Sequence, residues 1–264
     1  MPTLARILLA CALAAAPAMT LGCAETPVLD EARVVDLTHA FDDGVVAWPS
    51  TQRFEYRRSI FGRDDQGRWY ATGDLALGEH AGTHVDSPLH LAEGLRSTAD
   101  LPLRQMIGPI RVVDISGSCK RDSDYTATVA DLARHEQLHG RVPVGAAVLF
   151  RIGWDTKWSN PRSYLGTSDD DRMDELHFPG LSAALAHQLV LRRVDLVGID
   201  GPGIDPGAVR DQPAERALAE ANIPALVNLD SLAGLPAIGA TMIALPIKLT
   251  GGASGPVRVV AIVP

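Results

Sequence analysis

Cysteine is almost missing from this chain. Of the 3 present in 264 residues, Cys11 and Cys23 fall in the N-terminal segment and only Cys119 remains beyond it. One thiol cannot close an internal disulfide, so an oxidising compartment is neither required nor excluded. Cys119 sits in the polar run Ser116-Gly117-Ser118-Cys119-Lys120, which reads as a loop, and no nucleophilic role is expected of it. Positive charge is also short: 24 Lys and Arg stand against 32 Asp and Glu, a formal net charge of −8. The basic residues are scattered and form no stripe, which excludes nucleic acid as an expected partner. There is no internal repeat, and no apolar run long enough to span a bilayer, which takes roughly 20 residues.

The one strongly apolar stretch, Ile7 to Met19 behind Arg6, has the length and flank of a signal-peptide core instead. Two processing readings stay open. Gly22 and Ala24 are small residues where ordinary signal peptidase prefers them, leaving Glu25 first. Alternatively Leu21-Gly22-Cys23 is an imperfect lipoprotein box, with Thr20 where leucine is usual and a lipid anchor on Cys23. Either way residues 1–24 are expected to be a leader, and the protein to be exported to the periplasm or held by lipid in the cell envelope. Without Arg6 the balance becomes 23 basic against 32 acidic residues. Residues 25–264 suit one sizeable domain.

Apolar runs at Arg33–Leu37, Ile110–Ile115, Ala146–Ile152, Val194–Ile199, Ala225–Leu229, Met242–Leu249 and Val257–Val263 predict strands, several buried on both faces. Thr128-Val-Ala-Asp131 predicts a capping box for a helix running to His139 and stopping at Gly140. Ser182 suits the N-cap of a helix over Ala183–Arg193, and Ala214–Ala221 is a shorter one ended by Asn222 and Pro224. Strands outnumber helices and cluster at both ends, which predicts an α+β or swivelling β/β/α layout over a doubly wound sheet.

The chain holds 8 histidines, and three of them lie in His80-Ala-Gly-Thr-His84-Val-Asp86-Ser-Pro-Leu-His90. Two imidazoles and a carboxylate, here His80, His84 and Asp86, make a partial site for Zn²⁺ or Mn²⁺ with positions left for water and substrate. A straight strand would hold His80 and His84 roughly 13 Å apart, at ~3.3 Å per residue. A helix would turn Asp86 roughly 200° from His84 and would have to accept Gly82 and Pro88. The chain must therefore bend, and Gly82 is the residue able to bend it. A bent, mostly extended loop is expected.

This segment resembles the His-x-Gly-Thr-His-x-Asp-x-Pro-x-His signature of the metal-dependent cyclase family, which includes bacterial kynurenine formamidase and isatin hydrolase. Five further stretches stand in the family's order: Val35-Asp36-Leu37-Thr38-His39 with Trp48-Pro49, His177-Phe178-Pro179-Gly180-Leu181-Ser182, Val197-Gly198-Ile199-Asp200, Ile243-Ala244-Leu245-Pro246-Ile247-Lys248 and Gly255-Pro256-Val257-Arg258. The resemblance covers residues 33 to 264. It implies the β/β/α fold, one divalent ion per chain, His90 as acid/base, Trp48 as an aromatic wall for the substrate, and a homodimer or larger assembly.

The implied chemistry is hydrolysis of a cyclic or aryl amide, as in opening the isatin lactam to a carboxylate. The alternatives are an arylformamidase acting on N-formylkynurenine, or a catalytically silent exported binding protein. Formamidase-like members bind a second metal through a histidine and a glutamate twelve residues apart. Here Glu215 and Val227 fall on those positions, and valine cannot ligate, so a single-metal site is favoured. Glu215 is a tentative ligand and otherwise an exposed helix residue. His135 and His139 are expected on a solvated helix face, His187 partly buried, and Asp169-Asp170-Asp171 in a solvated turn lacking the spacing of a calcium loop. Gly201-Pro202-Gly203 reads as a tight turn where many relatives carry hydroxyl residues.

Overall fold

The computed structural model describes residues 30–169 and 172–264. The expected leader, with Arg6, Cys11 and Cys23, lies outside them, as do Asp170 and Asp171. Twelve strands occur among the described residues: β1 Val34–Asp36, β2 Glu55–Arg63, β3 Trp69–Ala76, β4 His84–Asp86, β5 Ile107–Asp114, β6 Thr126–Ala127, β7 Ala147–Arg151, β8 Gly180–Leu181, β9 Leu196–Ile199, β10 Ala225–Val227, β11 Ile238–Pro246 and β12 Ser254–Ile262. The helices are α1 Leu103–Met106, α2 Ser116–Cys119, α3 Val129–His139, α4 Pro161–Leu165, α5 Ala183–Leu191 and α6 Pro213–Glu220. All seven expected strands and all three expected helices are present. Thr128 and Asp131 form the expected capping box, and the Ser182 side chain accepts the Leu185 N–H.

The main sheet runs β1-β12-β11-β5-β7-β9-β10-β4, and β4 also pairs with β12. Long β12 makes this possible: Ser254–Pro256 pair with β4, while Val260–Ile262 pair with β1. The sheet thereby closes into a barrel from β12 round to β4, with β1 added beside β12. Neighbours from β5 through β10 are parallel and the rest antiparallel. The crossovers between the parallel strands carry α3, α5 and α6, so one side of the barrel is covered by helix.

Alternation along the strands sorts side chains between two cores. In β7, Ala147 and Leu149 enter the barrel beside Leu196, Leu226 and Val85. Val148 and Phe150 face outward to Leu132 of α3, Leu185 and Leu189 of α5, and Leu218 of α6. Each fully buried Leu or Val contributes about 1.5–3 kcal/mol, which fixes the register. The same rule places the site. Val85 is inside the barrel, so His84 and Asp86 point to the helical side, opposite their cross-strand partners Val227 and Ala225.

Of the elements that were not expected, the most prominent is a hairpin outside the barrel. Strands β2 and β3 form a separate hairpin that pairs with no other strand. Tyr56, Ile60, Phe61, Trp69, Tyr70 and Leu75 are all exposed on it. Other expectations are corrected. The run at Cys119 is a short helix, not a loop, and the thiol is buried, which pushes its pKa up to about 12. His135 is buried where α3 lies against β5, not solvated, whereas His139 is exposed as expected. His187 is exposed rather than partly buried. Asp169 is exposed as expected. At the Gly201 turn a Cβ would lie 2.6 Å from the terminal methyl of Ile152, which would have to move, whereas at Gly203 the nearest atom would be 3.6 Å away.

Candidate metal and catalytic site

The chain bends at Gly82, as the spacing of the histidines required. Its φ is +64°, and a Cβ there would also meet the Phe41 ring at 2.6 Å, so glycine is needed on both counts. The loop is more ordered than expected. Before the bend, Ala81 bridges Ala47, and the Trp48 N–H donates to the His80 carbonyl. After it, β4 is a true strand, and Pro88–His90 form a 3₁₀ turn with proline at its start. Ser87 donates through its N–H and its hydroxyl to the Ala253 carbonyl, which pins the corner to the residue just before β12.

The bend brings the four residues together. His80 Nδ1 lies 2.9 Å from Asp86 Oδ1, and His84 Nε2 lies 3.6 Å from the same atom. The ring of His90 sits 4.5 Å from that of His80. His80, His84 and Asp86 offer ligand atoms all within 4.8 Å of one another. Asp86 Oδ1 is buried yet receives no hydrogen bond of acceptable geometry, close as His80 is. A buried carboxylate oxygen left without a donor is costly, and a divalent cation between it and the two imidazoles satisfies it. The residues present therefore fit the metal that the sequence implied.

Charge states agree with this. Burial alone would raise the Asp86 pKa, but the neighbouring His84 and His80 outweigh it and hold the carboxyl well below the ordinary range. His84 is pushed down chiefly by burial, and so is His90. Both imidazoles are therefore disposed to be neutral at pH 7, as a ligand and a proton acceptor must be. For His80, burial is overcome by its contact with Asp86, and the net shift is upward.

Of the two expectations for Glu215, the exposed one is corrected. It is not an exposed helix residue: it is 4% exposed and joins Asp86 and His90 in a second group of ligand-bearing side chains. Its position follows from the seating of α6. Asp205 caps the helix, accepting the Ala214 N–H at 2.8 Å and the Glu215 N–H at 2.9 Å. Arg216 donates to the Leu91 carbonyl just beyond the 3₁₀ turn. The apolar face of α6 is buried in the outer core, so Glu215 on the first turn is carried against the turn that bears His90. Burial first, then the charges of Asp86 and Asp205, raise its pKa well above the usual carboxylate range. Val227 is the cross-strand partner of His84 on this same face. The valine packs into the outer core and offers no ligand atom.

Two further stretches acquire a physical reason. A Cβ on Gly180 would lie 2.3 Å from the Asp205–Pro206 backbone, so glycine there lets the segment that caps α6 approach. Asp200 is fully buried and accepts the N–H groups of Ile152 and Gly153 at 2.6 and 2.8 Å, a structural role. His39 stays outside the cluster, its ring stacked at 3.9 Å on Trp158. The pocket opening over the four residues is walled by Trp48, Met173, Leu176 and Phe178, with Arg210 also on its lining. Trp48 meets Phe178 edge to face, so it both packs and lines the cavity.

The model of the Cyclase family, described as “Putative cyclase”, matches residues 35–206. This chain belongs to that family. A kynurenine formamidase of Salinibacter ruber is 32% identical over 231 residues, covering 86% of this chain and 96% of the relative. An isatin hydrolase of Roseibium aggregatum is 30% identical over 211 residues, covering 76% and 78%. Among solved structures, isatin hydrolase A from Ralstonia solanacearum superposes with a TM-score of 0.80 at 31% identity, covering 88% of this chain and 92% of its own. The cyclase fold expected from the sequence is thus the fold observed. No helix of the described residues is long and apolar enough to cross a membrane.

Proposed function

We propose that this cyclase-family protein is a metal-dependent amide hydrolase whose substrate is a small cyclic or aryl amide. The observation that carries the reading is the convergence on buried Asp86 Oδ1 of His80 Nδ1 at 2.9 Å and His84 Nε2 at 3.6 Å, with the His90 imidazole beside them. A divalent ion held by His80, His84 and Asp86, Mn²⁺ or Zn²⁺, would lower the pKa of a water there and polarise the substrate carbonyl. His90, kept neutral by burial, takes the proton and returns it to the departing nitrogen, so that the amide ends as a carboxylate and an amine. Trp48 and Phe178 offer aromatic faces to a ring. Likeness to an isatin hydrolase and to kynurenine formamidases supports the C–N bond as the target.

Lactam opening of the isatin type is preferred to formamide hydrolysis because Val227 removes the glutamate of a formamidase-type second site. The protein stripped by a chelator should lose turnover of a panel holding isatin, cyclic imides and N-formylkynurenine, and regain it with about one equivalent of Mn²⁺ or Zn²⁺. Undiminished turnover after complete metal removal overturns the proposal. Ligand binding with no turnover of any panel member favours the silent binding protein instead.

Export to the periplasm or cell envelope belongs to the same proposal and rests on the composition of residues 1–24 alone. A homo-oligomer, suggested by the family resemblance, is proposed as well, with the exposed apolar face of the β2–β3 hairpin as its contact. Light scattering is expected to give at least twice the chain mass, falling to one chain mass when Phe61 and Trp69 are both made serine. A monomeric parent protein overturns the assembly.

A further inference from the structure

We propose that Asn228, held in turn by Tyr164, is a positioning residue that fixes the orientation and tautomer of the His84 imidazole. The inference rests on the reading that His84 is a metal ligand. His84 is buried, and its Nδ1–H donates to the Gly82 carbonyl at 2.8 Å, which leaves the Nε2 lone pair on the Asp86 side. A ring whose Nδ1 hydrogen is tied down presents the other nitrogen to a metal in a single tautomer.

That acceptor needs support of its own, because Gly82 carries no side chain to anchor it and sits at a positive φ. The support comes from far along the chain. Asn228 Nδ2 donates to the Gly82 carbonyl at 2.7 Å. The Asn228 main-chain carbonyl accepts the Thr83 hydroxyl at 2.6 Å, and the Asn228 N–H donates to Gly201. One residue thus clamps the bend at two consecutive positions across a sequence gap of 146 residues.

An amide side chain can be turned either way, and only one orientation serves. Tyr164 decides it. Its hydroxyl donates to Asn228 Oδ1 at 2.9 Å, which commits Nδ2 to Gly82. Tyr164 is completely buried, and burial holds its hydroxyl well above the ordinary tyrosine pKa, so it remains a donor. The chain of contacts runs Tyr164 hydroxyl, Asn228 amide, Gly82 carbonyl, His84 Nδ1–H, and ends at the nitrogen available to an ion. Asn228 also has φ +55°, a conformation asparagine tolerates better than most residues.

Three variants separate the amide from the backbone. Asn228→Asp keeps the shape but replaces the Nδ2 donor by an acceptor facing the Gly82 carbonyl. Asn228→Gly keeps the left-handed backbone and removes the amide. Tyr164→Phe removes only the hydroxyl. Zn²⁺ affinity, measured against a competing fluorescent chelator on the purified protein, should fall roughly 10–100-fold in each, the usual effect of losing a hydrogen bond behind a ligand. In metal-free protein, ¹⁵N-histidine NMR should show His84 as the Nδ1–H tautomer in the parent and as a mixture in the variants. Both readings are made without substrate, so they stand or fall separately from amide hydrolysis. Wild-type Zn²⁺ affinity in the folded variants, or an unchanged His84 tautomer, overturns the inference. If the Asn228 variants do not fold, Tyr164→Phe decides it alone.

Discussion

Replacing His84 by alanine is expected to remove both the metal and all measurable turnover. His84 is one of three ligand-bearing side chains converging on a single point, and it is the most deeply enclosed of them. Without it, His80 and Asp86 remain, and a two-ligand remnant holds a divalent ion poorly, because affinity depends on the number and fixed geometry of the donors. The loss should not come from unfolding. Strand β4 is held by main-chain pairing with β10 and β12, and its inward side chain is Val85, which an exchange at 84 leaves in place. Metal analysis of the purified variant beside the parent, with circular dichroism to show that the fold is kept, gives the measurement. A variant that folds and retains its full complement of metal would show that His84 is not a ligand.

The ligand loop was legible in the sequence because its constraint is geometric. Two histidines four apart and a carboxylate two further on cannot share an ion in a strand or a helix, so a bend at Gly82 had to follow. The strands were legible for a related reason: a strand of the barrel wall buried on both faces leaves a continuous apolar run, as in Ala146–Phe150. What stayed hidden depended on tertiary placement. Glu215 looks like any acidic residue in a helical first turn, and only the docking of α6 on the Pro88–His90 turn buries it. Tyr164 and Asn228 carry no local signal, since their partners lie 64 and 146 residues away. The β2–β3 hairpin escaped because its face is not buried by this chain, and the alternation that marks a half-buried strand is correspondingly weak: Glu55–Arg63 is exposed at nearly every position. His135 was misjudged for the opposite reason, a polar residue on an amphipathic helix turned inward by the packing of α3 on β5.

Replacing His90 by alanine is expected to leave the metal in place and to lower turnover by roughly 10²–10⁴-fold, the usual effect of losing a positioned acid/base. The structure makes this a sharper test than the sequence did, because His90 is available for two jobs. It lies on the 3₁₀ turn beyond Pro88, with its ring against His80, outside the group formed by His80, His84 and Asp86. It also belongs to a second group with Asp86 and Glu215. As a proton shuttle it must stay unligated and neutral, which its burial favours. As a ligand it would share a second ion with two carboxylates, and Glu215 would then have to give up the proton that burial and Asp86 favour on it. That cost argues for the shuttle. The measurement is metal stoichiometry together with steady-state rate. One ion in both parent and variant, with the rate lost, assigns His90 to proton transfer and leaves Glu215 as a buried partner of Asp86. Two ions in the parent falling to one on removing His90 would make it a ligand, and Glu215→Gln should then lose that same ion.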